Sequence, residues 1–142
     1  MLWVKTFFGI LFQTILLGIF LYLPALTLNW SDAFLFLTIH FLITILASVY
    51  LLIVKPESIE ARMNYDSKTQ PKEDRLATAL MFSAIIVGLS LGPIDIFHLN
   101  LSSSFEGNIK NIGLAIYIIG MLLVMASMNA NEFAETTVNI QE

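Results

Sequence analysis

Apolar residues gather in four long blocks, and most polar residues lie between the blocks. The blocks cover residues 7–28, 33–54, 76–97 and 109–129. Each block is about as long as the roughly 20 helical residues that cross a hydrocarbon core of about 30 Å. Among the charged residues only Asp95 and Lys110 fall inside a block, each near its end, as the cost of burying charge in lipid requires. The pattern therefore predicts four transmembrane helices.

A secretory signal is the alternative interpretation of the first block, because Lys5 precedes it. The apolar core of such a signal spans about 7–15 residues. Here the apolar run extends from Phe7 to Leu23, which is longer. We therefore expect the first block to be a retained helix.

The shortest connection joins the first two blocks. Residues 29–32 read Asn-Trp-Ser-Asp, which leaves room only for a tight turn. We therefore predict an N-terminal hairpin of two antiparallel helices. Ser31 or Asp32 is suited to cap the second helix, because either side chain can accept a hydrogen bond from a backbone N–H of the first turn.

The longest connection, residues 55–75, is polar and carries as many acidic as basic side chains. Pro56 suits the first turn of a short helix, and Ile59 and Met63 would share its apolar side. We predict that this short helix lies at the membrane surface. The last segment, residues 130–142, is predicted to be a polar tail.

The composition of the chain indicates that the four predicted helices form a membrane domain. Hydrophobic residues make up 57% of the 142 residues and charged residues 13%, against about 45–50% and about 25% in soluble domains. The mean hydropathy is +0.80. We therefore interpret residues 1–142 as a single all-α integral membrane domain.

The charged residues predict an orientation and exclude several classes of function. Lys5 and the basic residues of 55–75 lie on one side of a four-span arrangement, and only Lys110 lies on the other. This excess of positive charge places both termini and the central loop in the cytoplasm. Basic residues are spread among acids under a net charge of −4, so we expect no nucleic-acid partner. The chain has no cysteine, which excludes disulfides and cysteine-ligated metals.

Small residues recur on one side of the third helix and on one side of the fourth. Their spacing of four or seven residues allows close helix approach in lipid, so we interpret both sets as packing seams rather than as ligand grooves. The seam of the fourth helix is also the predicted surface for a helix partner. A Gly-Pro pair is expected to kink the third helix or end it early. The sets are Ala84, Gly88 and Gly92, which precedes Pro93, and Gly113, Gly120 and Ser127.

His40 lies well inside the second predicted span. An ionisable residue at such a depth is a candidate functional site. The alternative is a neutral imidazole that is hydrogen-bonded to a neighbouring helix, through Thr38 or Thr44. We favour the alternative, because no acidic, basic or second histidine side chain lies at mid-span to form a proton relay with it.

Other polar side chains within the spans have structural interpretations. Asp95 either caps the end of the third helix or pairs with Lys110. Gln13 and Thr14 can form hydrogen bonds across helices, at about 0.6 kcal/mol each. A small-drug exporter would need a carboxylate deep in the membrane, and this pattern lacks one.

Four segments carry a family resemblance. Residues 131–141 are close to the pattern Asn-x-Phe-(small or Phe)-(Ser or Glu)-x-x-Val-Arg-Ile-Gln, with Asn139 replacing the Arg. Residues 56–62 are similar to a Pro-Glu-(apolar)-(apolar)-x-x-Arg segment, with Ser58 in the first apolar place. Residues 74–75 are similar to an Asp-(Arg or Lys) pair that opens the third helix, although Glu73 replaces the usual Trp before it. Asp95 falls where the same pattern has the Asp of a Gly-Leu-Asp turn. Together these segments resemble the isoprenylcysteine carboxyl methyltransferase-like family of membrane methyltransferases.

The resemblance implies methyl transfer from S-adenosylmethionine to a lipidated or lipid-like acceptor. It implies a cofactor contact from Gln141 and site-orienting roles for Asn131 and Glu135, which share a face if the fourth helix continues. Family members go on to Gly-Pro-Tyr and Arg-His-Pro segments, which residues 1–142 do not contain. We therefore expect an N-terminal membrane portion without the donor-binding half, inactive alone. The alternative interpretation of residues 130–142 is a frayed polar tail. The alternative function is a stand-alone, non-catalytic four-helix membrane scaffold or partner subunit.

Overall fold

The computed structural model describes residues 1–63, 72–101 and 108–130, and of Lys72 and Glu73 only the backbone. These residues form helices and no strand, which confirms the predicted all-α class. Four helices are long and apolar enough to cross a membrane, as predicted. In chain order the elements are α1 (Leu2–Ala25), α2 (Ser31–Val54), α3 (Pro56–Met63), α4 (Lys72–Ile94), the π-helical segment Asp95–Leu99 and α5 (Asn108–Ala130).

The helix ends differ from the predicted spans, most clearly in α1. This helix begins at Leu2, earlier than predicted, because the polar residues before Phe7 also fit a helix. The Thr6 hydroxyl, for example, donates to the Leu2 carbonyl at 3.0 Å. It ends at Ala25, earlier than predicted, because Leu26 adopts a left-handed backbone with φ 53°. The Leu26 N–H donates to the Leu23 carbonyl at 3.3 Å and closes the helix. Hydropathy predicts where lipid can lie, whereas backbone hydrogen bonds decide where a helix ends.

α1 and α2 form the predicted N-terminal hairpin. A Cβ added at Gly18 of α1 would lie 3.5 Å from the Leu37 Cδ1 atom of α2, so the two helices approach closely at this level. The Tyr22 hydroxyl donates to the Trp30 carbonyl at 3.2 Å and ties the turn back to α1. The rings of Tyr22 and Trp30 also meet edge to face, with centroids 6.3 Å apart.

The other helices flank the hairpin. α4 packs on α1, α5 packs on α2, and α3 packs against α2. We call the end of the bundle that contains α3 the α3 end; α1 begins and α5 ends there. We call the opposite end the hairpin end; α1 ends there, and α2 and α5 begin there.

Polar contacts at the hairpin end decide between the predicted roles of four side chains. No side chain caps α2, so the predicted cap by Ser31 or Asp32 is wrong. The Lys110 ammonium donates to the Asp32 carboxylate at 2.6 Å, so Lys110 pairs with Asp32 and not with Asp95. The Asp95 carboxylate instead accepts the Leu101 N–H at 2.8 Å and so holds the residues that follow the helix end against it.

The third long helix changes its winding directly after Pro93. The α-helical part ends at Ile94, and the chain continues as the π-helical segment Asp95–Leu99. Proline has no N–H to donate and disturbs the regular ladder of hydrogen bonds, so a change of winding at this point has a local cause. The helix therefore does not end at Gly92 and Pro93 as expected: only its winding changes there, and the helical chain continues to Leu99.

Buried apolar residues are few in the described ranges; apart from single ones in α1, at the start of α2 and near the end of α4, they form one cluster at the α3 end. It consists of Leu51 and Leu52 of α2 and Ile59 of α3, with Leu2 and Met128 packed against them. In α5, by contrast, no residue is buried. Most of the apolar surface of the long helices therefore faces away from the described part of the chain.

The small residues of the predicted seams also face outward. A Cβ added at any of their four glycines would meet no atom within 4 Å. As packing seams between helices of the described chain, both sets are therefore wrong, and close approach occurs at Gly18 instead. The sequence of an apolar helix does not distinguish small residues that face another helix from small residues that face lipid, and for this reason the seams were predicted wrongly. Partner binding through Gly113, Gly120 and Ser127 stays a prediction.

Replacing Gly18 by Leu is expected to destabilise the hairpin, because a Cβ there already contacts Leu37 and the remaining atoms of a leucine must find room against α2. Overpacking of this kind typically costs about 1–3 kcal/mol. Gly113→Leu is the matched control, since it adds the same side chain at a position with no atom within 4 Å. Thermal unfolding in detergent, followed by circular dichroism, should show a lower midpoint for Gly18→Leu than for the control. Equal midpoints would contradict the close approach of α1 and α2.

Candidate functional site

α3 follows α2 almost without a break and carries the segment 56–62. Pro56 opens the helix, where the N–H that proline lacks would have no partner in any case. The Ser58 N–H donates to the Lys55 carbonyl at 3.1 Å and closes the turn between the two helices. The short helix predicted in the central loop is confirmed.

Ser58 joins α3 to the end of α5. It is 1% exposed, and its hydroxyl donates to the Met128 carbonyl at 3.3 Å. Met128 lies in the last turn of α5, where carbonyls have no partner within their own helix. Ser58 therefore gives the Met128 carbonyl a hydrogen bond that its apolar neighbours cannot donate.

The far end of α3 contacts the start of α1. The Thr6 hydroxyl lies 3.7 Å from the Met63 sulfur, and Ile59 is buried between α2 and α5. The predicted apolar side of α3 is confirmed for Ile59, whereas Met63 is 39% exposed at the edge. α3 thus lies between the beginning of α1 and the end of α5.

Two buried polar atoms at the α3 end have no hydrogen-bond partner within the described ranges: Nε of Arg62 and Oδ1 of Asn129. Burial lowers the pKa of the Arg62 guanidinium, which remains charged at neutral pH because its ordinary pKa is far higher. A guanidinium binds carboxylates and phosphates well. Arg62 therefore gives this end of the bundle a cation that suits an anionic group.

The predicted site residues of the tail, Asn131, Glu135 and Gln141, lie outside the described residues. The structure does show where their segment begins, because Ala130 ends α5 at the α3 end. The segment 56–62 and the last turn of α5, which precedes the tail in the sequence, therefore lie at the same end of the bundle. The roles of the three tail residues stay predictions.

His40 lies in the middle of α2 and is 5% exposed. Its Nδ1 forms a hydrogen bond with the Tyr117 hydroxyl of α5. Phe36 packs over the pair, with its ring centroid 4.8 Å from that of Tyr117 and 6.4 Å from that of His40. The predicted hydrogen bond from His40 to a neighbouring helix is therefore confirmed.

The predicted route of that bond through Thr38 or Thr44 is wrong. The Thr38 hydroxyl donates to the Phe34 carbonyl, and the Thr44 hydroxyl donates to the His40 carbonyl, both at 2.8 Å. A threonine inside a helix commonly bonds to the carbonyl four residues earlier, which removes it from contacts between helices. Tyr117 was missed, although a phenol in the middle of an apolar span needs a partner and could have signalled the pair.

Two cavities lie towards the hairpin end. The larger, of about 510 Å³, is formed by the second half of α1 and the turn that follows it. The smaller, of about 230 Å³, is bounded by α1, the start of α2 and α4, and includes Phe36 and Asp32. Neither cavity contains a residue of the α3 end. In the described ranges no three His, Asp or Glu side chains gather as metal ligands.

Replacing Tyr117 by Phe is expected to destabilise the protein, because both ring nitrogens of His40 would then lack a partner in the described chain. An orphaned buried polar group typically costs about 1–3 kcal/mol. Tyr50→Phe is the matched control, because Tyr50 is 41% exposed at the end of α2. Reversible unfolding in mixed micelles measures both free energies. Similar values for the two variants would show that the His40–Tyr117 bond does not hold α5 to α2.

Comparison with known proteins provides no relative for this chain. No protein family, no curated protein and no solved structure matches it. The family resemblance therefore rests on the residues of this sequence alone.

Proposed function

We propose that residues 1–142 are the N-terminal membrane portion of an S-adenosylmethionine-dependent methyltransferase of the isoprenylcysteine carboxyl methyltransferase-like kind, acting on a lipidated or lipid-like acceptor. The donor-binding half comes from another segment or another chain. The observation that carries this proposal is the contact of α3 with the end of α5 through Ser58 and Met128.

This contact joins one segment that carries the resemblance to the helix that precedes another. The segment 56–62 forms most of α3, and residues 131–141 follow Ala130, the last residue of α5, in the sequence. Methyl transfer requires donor and acceptor to be held in a near-attack geometry. Segments far apart in sequence can share such a site only if the fold brings them together, and the contact of α3 with the end of α5 supports that arrangement.

The four long helices are proposed to lie in a bilayer. Their outward surface is apolar over most of its extent, which water would not tolerate on a small domain. Lys5, Lys55 and Arg62 belong to the α3 end, whereas Lys110 lies at the hairpin end. The rule that positive charge stays inside then places the α3 end, and with it the proposed site, in the cytoplasm.

Neither of the two cavities above is suited to S-adenosylmethionine. They are lined mainly by apolar side chains and lie towards the hairpin end, away from α3. We therefore place the donor outside these two cavities, with Gln141 as the proposed contact and Asn131 and Glu135 proposed to orient the site. Arg62 is suited to hold an anionic group of the acceptor or the donor.

Methyl transfer is expected only where a donor-binding segment accompanies residues 1–142. The polypeptide made from the natural reading frame and residues 1–142 alone are compared in nanodiscs, with methyl-labelled S-adenosylmethionine and prenylcysteine or ethanolamine phospholipid as acceptors. The natural polypeptide is supplied with an extract of the membranes in which it naturally occurs, so that a donor-binding half on another chain is present. Only this sample is expected to label an acceptor. If purified residues 1–142 labelled an acceptor, the claim that they lack a donor-binding half would be refuted. If neither sample labelled an acceptor, the proposed methyl transfer would be refuted.

In the active sample, Gln141→Ala is expected to raise the KM for S-adenosylmethionine about tenfold, as the loss of one hydrogen bond would. Asn111→Ala is the control, because Asn111 is exposed towards the hairpin end of α5. Equal KM values for the two variants would remove Gln141 from the cofactor site.

The second candidate is a stand-alone, non-catalytic membrane scaffold or partner subunit. The outward side of α5 that carries Gly113, Gly120 and Ser127 favours it, since nothing in the described chain covers these residues. A partner helix could approach this side closely. Acceptor labelling distinguishes the two candidates, because the scaffold predicts none.

Gly120→Leu is expected to weaken partner association without harming the fold, because a Cβ at this position meets no atom within 4 Å. The protein is purified from its own membranes under gentle conditions, and native mass spectrometry measures the size of the assembly. Ala115→Leu, at another exposed position of α5, is the control. An unchanged assembly in Gly120→Leu would remove this side of α5 as a docking surface.

A further inference from the structure

Gln13 is exposed near the middle of α1, which runs from Leu2 to Ala25. Among the described residues, none forms a hydrogen bond with its amide. Thr14, the next residue, is satisfied within its own helix, since its hydroxyl donates to the Ile10 carbonyl at 2.9 Å. The predicted bond across helices is therefore wrong for Thr14, and Gln13 has an amide that faces outward without a partner in the described chain.

The depth of Gln13 limits what can satisfy this amide. At about 1.5 Å per residue, the side chain lies roughly 16 Å from either end of α1. In a hydrocarbon core of about 30 Å this position is close to the midplane, beyond the reach of water and of lipid headgroups. An amide at that depth needs a polar partner from another helix.

We propose that the Gln13 side of α1 binds the same side of a second copy of this chain. The proposal rests on the placement of α1 in a membrane and not on methyl transfer. Two copies inserted with the same orientation place their Gln13 residues at equal depth. A carboxamide carries both donors and an acceptor, so two of them related by a two-fold axis satisfy each other.

The surface around Gln13 suits a close approach of two α1 helices. Gly9 lies one turn earlier on the same side, and a Cβ added there would meet no atom within 4 Å. Leu16, one turn later, is 38% exposed on that side. Small and polar residues at this spacing are typical of helix contacts in lipid, where apolar faces alone provide little drive for association. A different membrane protein would have to present a polar group at the same depth, whereas a second copy does so by symmetry.

Residues 1–142 contain no cysteine, so a single introduced thiol is the only one among them. Gly9→Cys is introduced into the full natural chain in phospholipid vesicles, with any cysteine outside residues 1–142 replaced by serine. Gly88→Cys is the matched control on the outward side of α4, where an added Cβ likewise meets no atom within 4 Å. Mild oxidation is expected to give dimers of Gly9→Cys and few of Gly88→Cys. Dimers at Gly88→Cys alone, or crosslinks of Gly9→Cys only to a different protein in native membranes, would overturn the proposal.

A second set of variants tests the amide itself. Fluorescence energy transfer between labelled chains, measured as the vesicles are diluted with lipid, reports association without a crosslink. Gln13→Leu is expected to weaken dimerisation roughly fivefold to tenfold, as the loss of a paired interhelical bond would. Gln13→Asn keeps a carboxamide and is expected to retain most of the affinity. Equal association of Gln13→Leu and the parent chain, or a parent chain that is monomeric at every dilution, would overturn the proposal.

Discussion

Polar groups that are surrounded by apolar material must find their partners inside the protein, and this constraint shapes most of the structure. The long helices satisfy their backbone internally, and the hydroxyls of Thr14, Thr38 and Thr44 return to carbonyls of their own helix. The backbone carbonyls that helices leave without a partner lie in their last turns. At the α3 end Ser58 donates to such a carbonyl, and at the hairpin end the His98 Nε2 donates to the Pro24 carbonyl at 2.7 Å.

The same constraint explains how α5 is positioned although it buries no residue. Apolar burial cannot select one position, because α5 is apolar on most sides and buries none of them against the described chain. Three polar contacts select it instead, one at each end and one in the middle. They join Lys110 to Asp32, Tyr117 to His40 and the Met128 carbonyl to Ser58. The ion pair is exposed and contributes little, so the contacts of Tyr117 and Ser58 carry more of the positioning.

The sequence predicts which segments are helices far better than which sides of them pack. Long apolar blocks, the short turn at residues 29–32 and Pro56 each have a local physical cause, and the corresponding elements are confirmed. Packing has no such local signal here, because the inward and outward sides of these helices are equally apolar. The seams and the cap of α2 were therefore predicted wrongly, and two partners were missed, Asp32 for Lys110 and Tyr117 for His40. Of the candidate site, the structure describes segment 56–62, whereas Asn131, Glu135 and Gln141 lie outside the described residues.

The proposed surfaces lie on different helices, and this separation makes them independent. Gln13 belongs to α1, whereas the outward side with Gly113 and Gly120 belongs to α5, and α2 lies between these helices in the packing order. A second copy on α1 would therefore leave α5 and the end that leads into residues 131–141 accessible. A missing donor-binding half could dock at α5 in each of two paired chains. Dimerisation and completion of an active site would then occur without competition, and a defect in one would not imply a defect in the other.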